Sequence, residues 1–242
     1  RSVLVEALDA GTAHGTAVQI DRRFAELRDV VRSCSRFADL VAIRHEITAN
    51  LLFLRFEFTT GDASTTWGAE RAALGHPEPF ELPYIGLGNE ENTTTFEANF
   101  PKFRDAIKAK YPDIKIISNS GPDSSGARFD TLWNFNRAQK VDLVDEHYYR
   151  DPSWFLANNH RYDTYDRSGP KVFLGEYASR GNTFGNALSE ASYMTALQRN
   201  ADVVRLASYA PLLANESNVQ WTPDAIWFDN DESWSSPNWE VQ

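Results

Sequence analysis

From residue 84 onward the chain repeats one pattern: a short apolar run that closes on polar residues, then a window of helical period. Residues 84–88, 114–118, 141–148, 171–176 and 203–210 read as strands, with 225–228 as a further short one. Between them, residues 95–110 read as a helix: Phe96, Phe100, Phe103 and Ile107 fall on one face, and Pro112 closes the segment. Helices are also expected over 130–137, 152–159 and 186–202. Strands alternating with helices in this way make βα units around a parallel sheet. No apolar run is long enough to predict a membrane-spanning helix.

The first 55 residues lack the rhythm. Phe24, Leu27, Val30 and Val31, continued by Phe37, Leu40 and Val41, have near-helical spacing, so this segment is expected to be mostly helical. It offers no recognisable chemistry. The rhythm lies wholly within residues 56–242. At 242 residues the chain approaches the roughly 250 typical of a single α/β barrel. The visible strands fall short of the eight such a barrel needs unless the first segment supplies some.

The polar closures carry the chemistry. Gly88-Asn89-Glu90, Asp145-Glu146-His147 and Gly175-Glu176-Tyr177 each fall where a strand is expected to finish. In a barrel, that end of the sheet holds the active site. Two carboxyl groups flanking one bond are what glycoside cleavage requires, one to protonate the leaving oxygen and one to attack the anomeric carbon. Glu90 and Glu176 fit those two roles. On residue type and position alone, a second reading stays open, in which these glutamates cap helices or pair with arginines. Asn89 reads either as a ligand for a sugar hydroxyl or as a turn residue. His147-Tyr148-Tyr149 either orients the nucleophile and holds substrate or forms a structural aromatic cluster. Six tryptophans (Trp133, Trp154, Trp221, Trp227, Trp234 and Trp239) lie in the same part. Most are expected in the core, with one or two meeting the apolar face of a sugar.

Other chemistries are less well served. The formal net charge of −10 opposes binding to nucleic acid, whose phosphates call for a basic field. The lone cysteine, Cys34, cannot form an internal disulfide or a cysteine-based zinc site, and reads as a half-buried thiol rather than a nucleophile. His14, His45, His76 and His160 show no ligand spacing with His147, so no metal is expected. There is no Gly-rich phosphate loop, Gly-x-Ser-x-Gly elbow or His-Glu-x-x-His helix. Asn92-Thr93-Thr94 and Asn215-Glu216-Ser217 match the glycosylation sequon, a short motif that carries little weight. The opening Arg1-Ser2-Val3-Leu4 has no signal-peptide layout.

A longer ordered set of motifs is more specific. Thr65-Thr66-Trp67-Gly68-Ala69 is followed by Gly75-His76-Pro77-Glu78-Pro79-Phe80, Gly88-Asn89-Glu90 and Asp145-Glu146-His147-Tyr148-Tyr149. Then come Gly175-Glu176-Tyr177-Ala178, Ala207-Ser208-Tyr209-Ala210-Pro211-Leu212, Gln220-Trp221-Thr222-Pro223-Asp224 and Ile226-Trp227-Phe228-Asp229. Over about residues 58–240 the chain resembles the α-L-arabinofuranosidases of glycoside hydrolase family 51.

The resemblance implies an α/β fold, a (β/α)8 TIM barrel, here either incomplete or with an atypical N-terminal part. Residues 56–242 would supply strands four to eight. It implies a retaining double displacement, with Glu90 as acid/base after the fourth strand and Glu176 as nucleophile after the seventh. It assigns sugar contacts to Asn89, His147 and Gln220, and support of the nucleophile to Tyr149. No cofactor is implied. The expected partner is an arabinose-containing polysaccharide or oligosaccharide, with no nucleic acid and no membrane, and the expected location is extracellular. Residues 1–55 do not match the family's first strands, and its β-sandwich is not expected within this chain. Two alternatives to an arabinofuranosidase stand beside this reading: an endo-acting β-glycanase on a similar barrel, and an inactive carbohydrate-binding remnant.

Overall fold

The computed structural model describes residues 55–242. All but the last residue of the helical segment expected over 1–55, with Cys34, His14 and His45, therefore lies outside the described residues. The chain divides into two compact units, Arg1–Leu82 and Pro83–Gln242.

In the first unit, residues 55–60 are helical and a second helix, α1, spans Thr66–Ala73. Thr65 caps α1 by accepting a hydrogen bond from the Gly68 amide. The unit turns on Arg71, which is buried and makes no ion pair within 4.0 Å among the described residues. Its guanidinium donates to the carbonyls of Phe58 and Gly61 at 2.7 Å, and of His76 and Pro77 at 3.0 Å. A guanidinium offers five donors in a fixed fork, and here carbonyls take them up.

The second unit is built on a parallel sheet in which sequence order and spatial order coincide: β1 (Tyr84–Gly86), β2 (Lys115–Asn119), β3 (Leu143–Arg150), β4 (Lys171–Ser179) and β5 (Val204–Tyr209). Between them run α2 (Thr93–Lys110), α3 (Ala127–Gln139), α4 (Pro152–Ala157) with a 3-10 turn at Arg161–Thr164, and α5 (Phe184–Arg199). Parallel neighbours joined by helices follow the right-handed crossover rule, and successive crossovers in one direction keep their helices on one face. A doubly wound sheet reverses its strand order; this one does not, so it curls as an arc of a barrel does.

Burial explains the elements. Phe96, Phe100 and Ile107 are the buried face of α2, and Phe96 and Phe100 meet Phe135 of α3 edge-on, with centroids 5.9 and 5.7 Å apart. Lys108 and Lys110 occupy the last turn of α2, where cations suit the helix dipole. The helix α5 opens with a capping box, Thr183 and Asn186 exchanging side-chain to backbone bonds at 3.3 and 3.2 Å.

Two features differ from the sequence expectation. The 225–228 run does form a strand, β7 (Ile226–Phe228), but it joins a separate small sheet with β6 (Leu213–Asn215) and β8 (Ser233–Ser235), followed by the short helix α6 (Pro237–Val241). Two of the polar trios expected at strand ends, Asp145-Glu146-His147 and Gly175-Glu176-Tyr177, lie inside strands, whereas Gly88-Asn89-Glu90 follows β1 as expected. Pairing between β3 and β4 continues past Glu146 and His147 through a register shift, bringing His147 opposite Glu176. A bulge lets a ladder continue while re-aiming side chains, and apolar periodicity cannot reveal it.

Candidate active site

Alternation along β3 sorts its side chains into two environments. Glu146 and Tyr148 turn to the buried side. Glu146 accepts from Trp133 Nε1 at 3.0 Å, Tyr162 OH at 2.9 Å and Tyr165 OH at 2.8 Å, and pairs with Arg161 at 3.2 Å. Tyr148 OH lies 2.8 Å from Tyr162 OH and 2.7 Å from Tyr193 OH. The Arg161 cation lies over the rings of Phe129 and Tyr148, 5.1 and 5.2 Å from their centroids. This network is structural. It answers in part the open question about His147-Tyr148-Tyr149, since Tyr148 belongs to a core aromatic cluster while its two neighbours do not.

His147 and Tyr149 meet the two candidate carboxylates, and Asp145 meets His147. His147 is almost fully enclosed, with 4% of its side chain exposed, whereas Glu90 and Glu176 keep 36% and 33% open. His147 Nδ1 lies 3.1 Å from Glu90 Oε1 and 3.6 Å from Glu176 Oε2, and Nε2 lies 3.0 Å from Asp145 Oδ2. Tyr149 OH donates to Glu176 Oε2 at 2.7 Å. Burial alone would discharge the His147 ring. The hydrogen bond and charge of Asp145, the charge of Glu176 and the hydrogen bond of Glu90 outweigh it and raise the imidazole to about 9. Burial pushes Asp145 above the usual carboxylate range, and His147 pulls it back. Tyr149 is pushed upward, first by burial and then by its bond to Glu176, so its phenol keeps the proton it donates.

Glu90 stands on a left-handed backbone, φ 51°, just after Gly88 at φ 86°. For a residue with a Cβ this costs on the order of 1–3 kcal/mol and has to be held in place. Asn119, at the end of β2, holds it: its Oδ1 accepts from the amides of Glu91 and Gly121, each at 3.1 Å. A Cβ on Gly88 would lie 2.7 Å from Asn119 Nδ2 and 2.8 Å from the Phe96 ring, so only glycine fits there.

Glu90, His147 and Glu176 each bring one potential ligand atom within 4.8 Å of the others. A cation there would take the His147 Nδ1 lone pair, so a bound metal and a doubly protonated His147 ring exclude each other.

The structure thus brings together Glu90, His147, Tyr149 and Glu176. Asn89 and Gln220 are both exposed and take no part in this hydrogen-bonded cluster. Of the tryptophans, only Trp133 is fully buried; Trp221, Trp234 and Trp239 are exposed, against the expectation that most would be core. Trp221 meets Tyr149 edge-on at 5.6 Å. Sequence reasoning gave Asp145 no role and overlooked Asn119. For Asp145 a signal was available, since it lies two residues before His147 and so shares its face of the strand. For Asn119 there was none.

Comparison with known proteins finds matches along most of the chain. Residues 37–167 match the family model described as "Alpha-L-arabinofuranosidase 1 domain", and residues 161–242 match "Alpha-L-arabinofuranosidase C-terminal domain". An extracellular exo-α-L-arabinofuranosidase of Streptomyces chartreusis is 62% identical over 187 residues, covering 77% of this chain and 23% of the relative. α-L-Arabinofuranosidase 1 of Arabidopsis thaliana is 41% identical over 77% of this chain and 27% of its own length. The chain thus spans about a quarter of these relatives. Among solved structures, the arabinose-bound MgGH51 α-L-arabinofuranosidase superposes with a TM-score of 0.71 at 32% identity, over 80% of this chain and 32% of that one. A family 51 α-L-arabinofuranosidase from Bifidobacterium longum shares the fold, with a TM-score of 0.65 at 18% identity over 80% of this chain and 49% of that one.

Proposed function

We propose that this chain, which belongs to the α-L-arabinofuranosidase family, carries the catalytic carboxylates of a retaining glycosidase. Its substrate would be a terminal non-reducing α-L-arabinofuranosyl group on arabinan or arabinoxylan side chains. One observation carries the reading: a carboxylate oxygen of Glu90 and one of Glu176 lie within 4.8 Å of each other. Retaining pairs stand about 5–5.5 Å apart, whereas inverting pairs leave roughly 6.5–9.5 Å for a water.

In this reading Glu176 attacks the anomeric carbon while Glu90 protonates the departing oxygen. Water then cleaves the glycosyl-enzyme ester, with Glu90 taking its proton. Tyr149 keeps the nucleophile aimed through its 2.7 Å hydrogen bond. Asn89, His147 and Gln220 contact the sugar, and the double displacement uses no cofactor. The sheet β1–β5 would be strands four to eight of a (β/α)8 barrel, which puts Glu90 after the fourth strand and Glu176 on the seventh. The arabinofuranosidase names of the relatives favour this substrate over the endo-β-glycanase alternative. The extracellular name of the Streptomyces relative supports an extracellular location, where arabinose-containing polysaccharides occur.

Release of p-nitrophenol from an aryl α-L-arabinofuranoside tests the proposal. The chain should turn this substrate over and the Glu176→Gln variant should not. Substantial turnover by the variant would show that the nucleophile is another group.

A further inference from the structure

The double displacement leaves Asp145 unused, yet its surroundings are among the most constrained in the site. Its Oδ2 faces His147 Nε2 at 3.0 Å, and its Oδ1 accepts the Gly175 amide, also at 3.0 Å. The carboxylate thus ties β3 to β4 one residue before Glu176. Gly175 leaves it room: a Cβ at that position would overlap Asp145 Oδ1. The charged groups against the His147 ring are Asp145 on its own strand, Glu90 after β1 and Glu176 on β4. Behind them, Tyr149 OH is bonded to Glu176, and the charge of Arg128, paired with Asp123 at 2.6 Å, reaches Glu90.

We propose that Asp145 is a positioning residue that holds His147 as a fixed imidazolium between the two catalytic carboxylates. The geometry favours that form. With Asp145 holding the Nε2 proton, a neutral ring would turn its lone pair on the Glu90–Glu176 pair, which carries a negative charge, whereas the doubly protonated ring donates to Asp145 on one side and to that pair on the other.

Charge counting shows what the fixed cation does. Before reaction Glu90 carries the acidic proton and Glu176 the negative charge. When Glu176 forms the ester, Glu90 has given its proton to the leaving oxygen and carries the charge instead. The pair holds one negative charge in both states, and only its position changes. His147 Nδ1, 3.1 Å from one carboxylate and 3.6 Å from the other, serves both positions without moving and without giving up its proton. In the Asp145→Asn variant the ring loses the charge that keeps it protonated, and the cation is absent over part of the working pH range.

What the cation does for catalysis rests on the retaining mechanism proposed above; the Asp145–His147 link does not. The test separates the two. The full chain, labelled at its five histidines, is titrated by NMR, and the His147 signal is identified by its loss in His147→Gln. In the wild type the ring should stay protonated through neutral pH and titrate near 9. Asp145→Asn should move that midpoint down toward the ordinary imidazole range. Its kcat should fall about 100-fold, the loss expected when a reacting group is misplaced, and kcat should gain a descending limb at the new His147 midpoint. A wild-type ring that titrates at or below the ordinary range overturns the proposal even if the variant does not fold. So does an unmoved midpoint in a folded Asp145→Asn. A lowered midpoint with an unchanged pH–kcat profile overturns the catalytic part. Loss of turnover in Glu176→Gln bears only on the retaining reading.

Discussion

Single residues in this protein are held by pairs of contacts whose removal has opposite consequences on the two faces of β3. On the buried face, Glu146 neutralises Arg161, and both are enclosed. Glu146→Gln would leave the guanidinium charged and unpaired among aromatic rings, a loss of about 3–5 kcal/mol for breaking a buried pair. Urea denaturation of the two proteins measures it, and a difference under about 1 kcal/mol would show that the rings alone hold Arg161. On the site face, the raised His147 gives stability a pH dependence. The folded ring, near 9, holds its proton more tightly than an unfolded one near 6.5. Its contribution is therefore complete below 6.5 and lost as pH rises through 9. His147→Gln should remove that alkaline loss, which thermal unfolding at a series of pH values will follow.

Secondary-structure elements are joined by a second buried carboxylate. Glu190 on α5 accepts from the Ser179 amide on β4 and from Asn238 and Gln242 at the C-terminal end of the chain. Burial raises it to about 7 against those hydrogen bonds. Because the folded carboxyl binds its proton more tightly than the unfolded one at 4.5, the stability it contributes is complete below 4.5 and falls away as pH rises through 7. The melting temperature of Glu190→Gln should consequently fall less than that of the wild type between about pH 5 and 8. Parallel curves for the two proteins would mean that Glu190 stays ionised in the fold. At the start of the same helix, Thr183→Ala removes half of the capping box and should cost about 1 kcal/mol, read from the same denaturation experiments.

At the scale of the molecule, the sheet order supports the retaining stereochemistry proposed above. Sequential parallel strands bring the residues after β1 and those on β4 to the same end of the arc, close enough for direct attack and too close for an intervening water. The first arabinose released should therefore keep the anomeric configuration of the substrate, observable by proton NMR before mutarotation. An inverted first product would remove the retaining mechanism. The βα rhythm from residue 84, the two glutamates that the fold brings together and the family were legible in the sequence, because apolar periodicity, residue type and motif order are local properties. Five strands could be placed to within a few residues, and Phe96, Phe100 and Ile107 were recognisable as the buried face of α2. The bulge beside His147, the left-handed Glu90 gripped by Asn119, the small sheet of β6–β8 and the work of Asp145 were not legible. Each depends on which strand lies beside which and in what register, and a hydrogen bond across 28 residues, such as that from the Glu91 amide to Asn119, leaves no periodic trace. The sequence by itself determined which chemical groups this protein has and the order in which strands and helices present them. The tertiary structure alone decided which groups share a proton, because that follows from distances of about 3 Å set by packing and register.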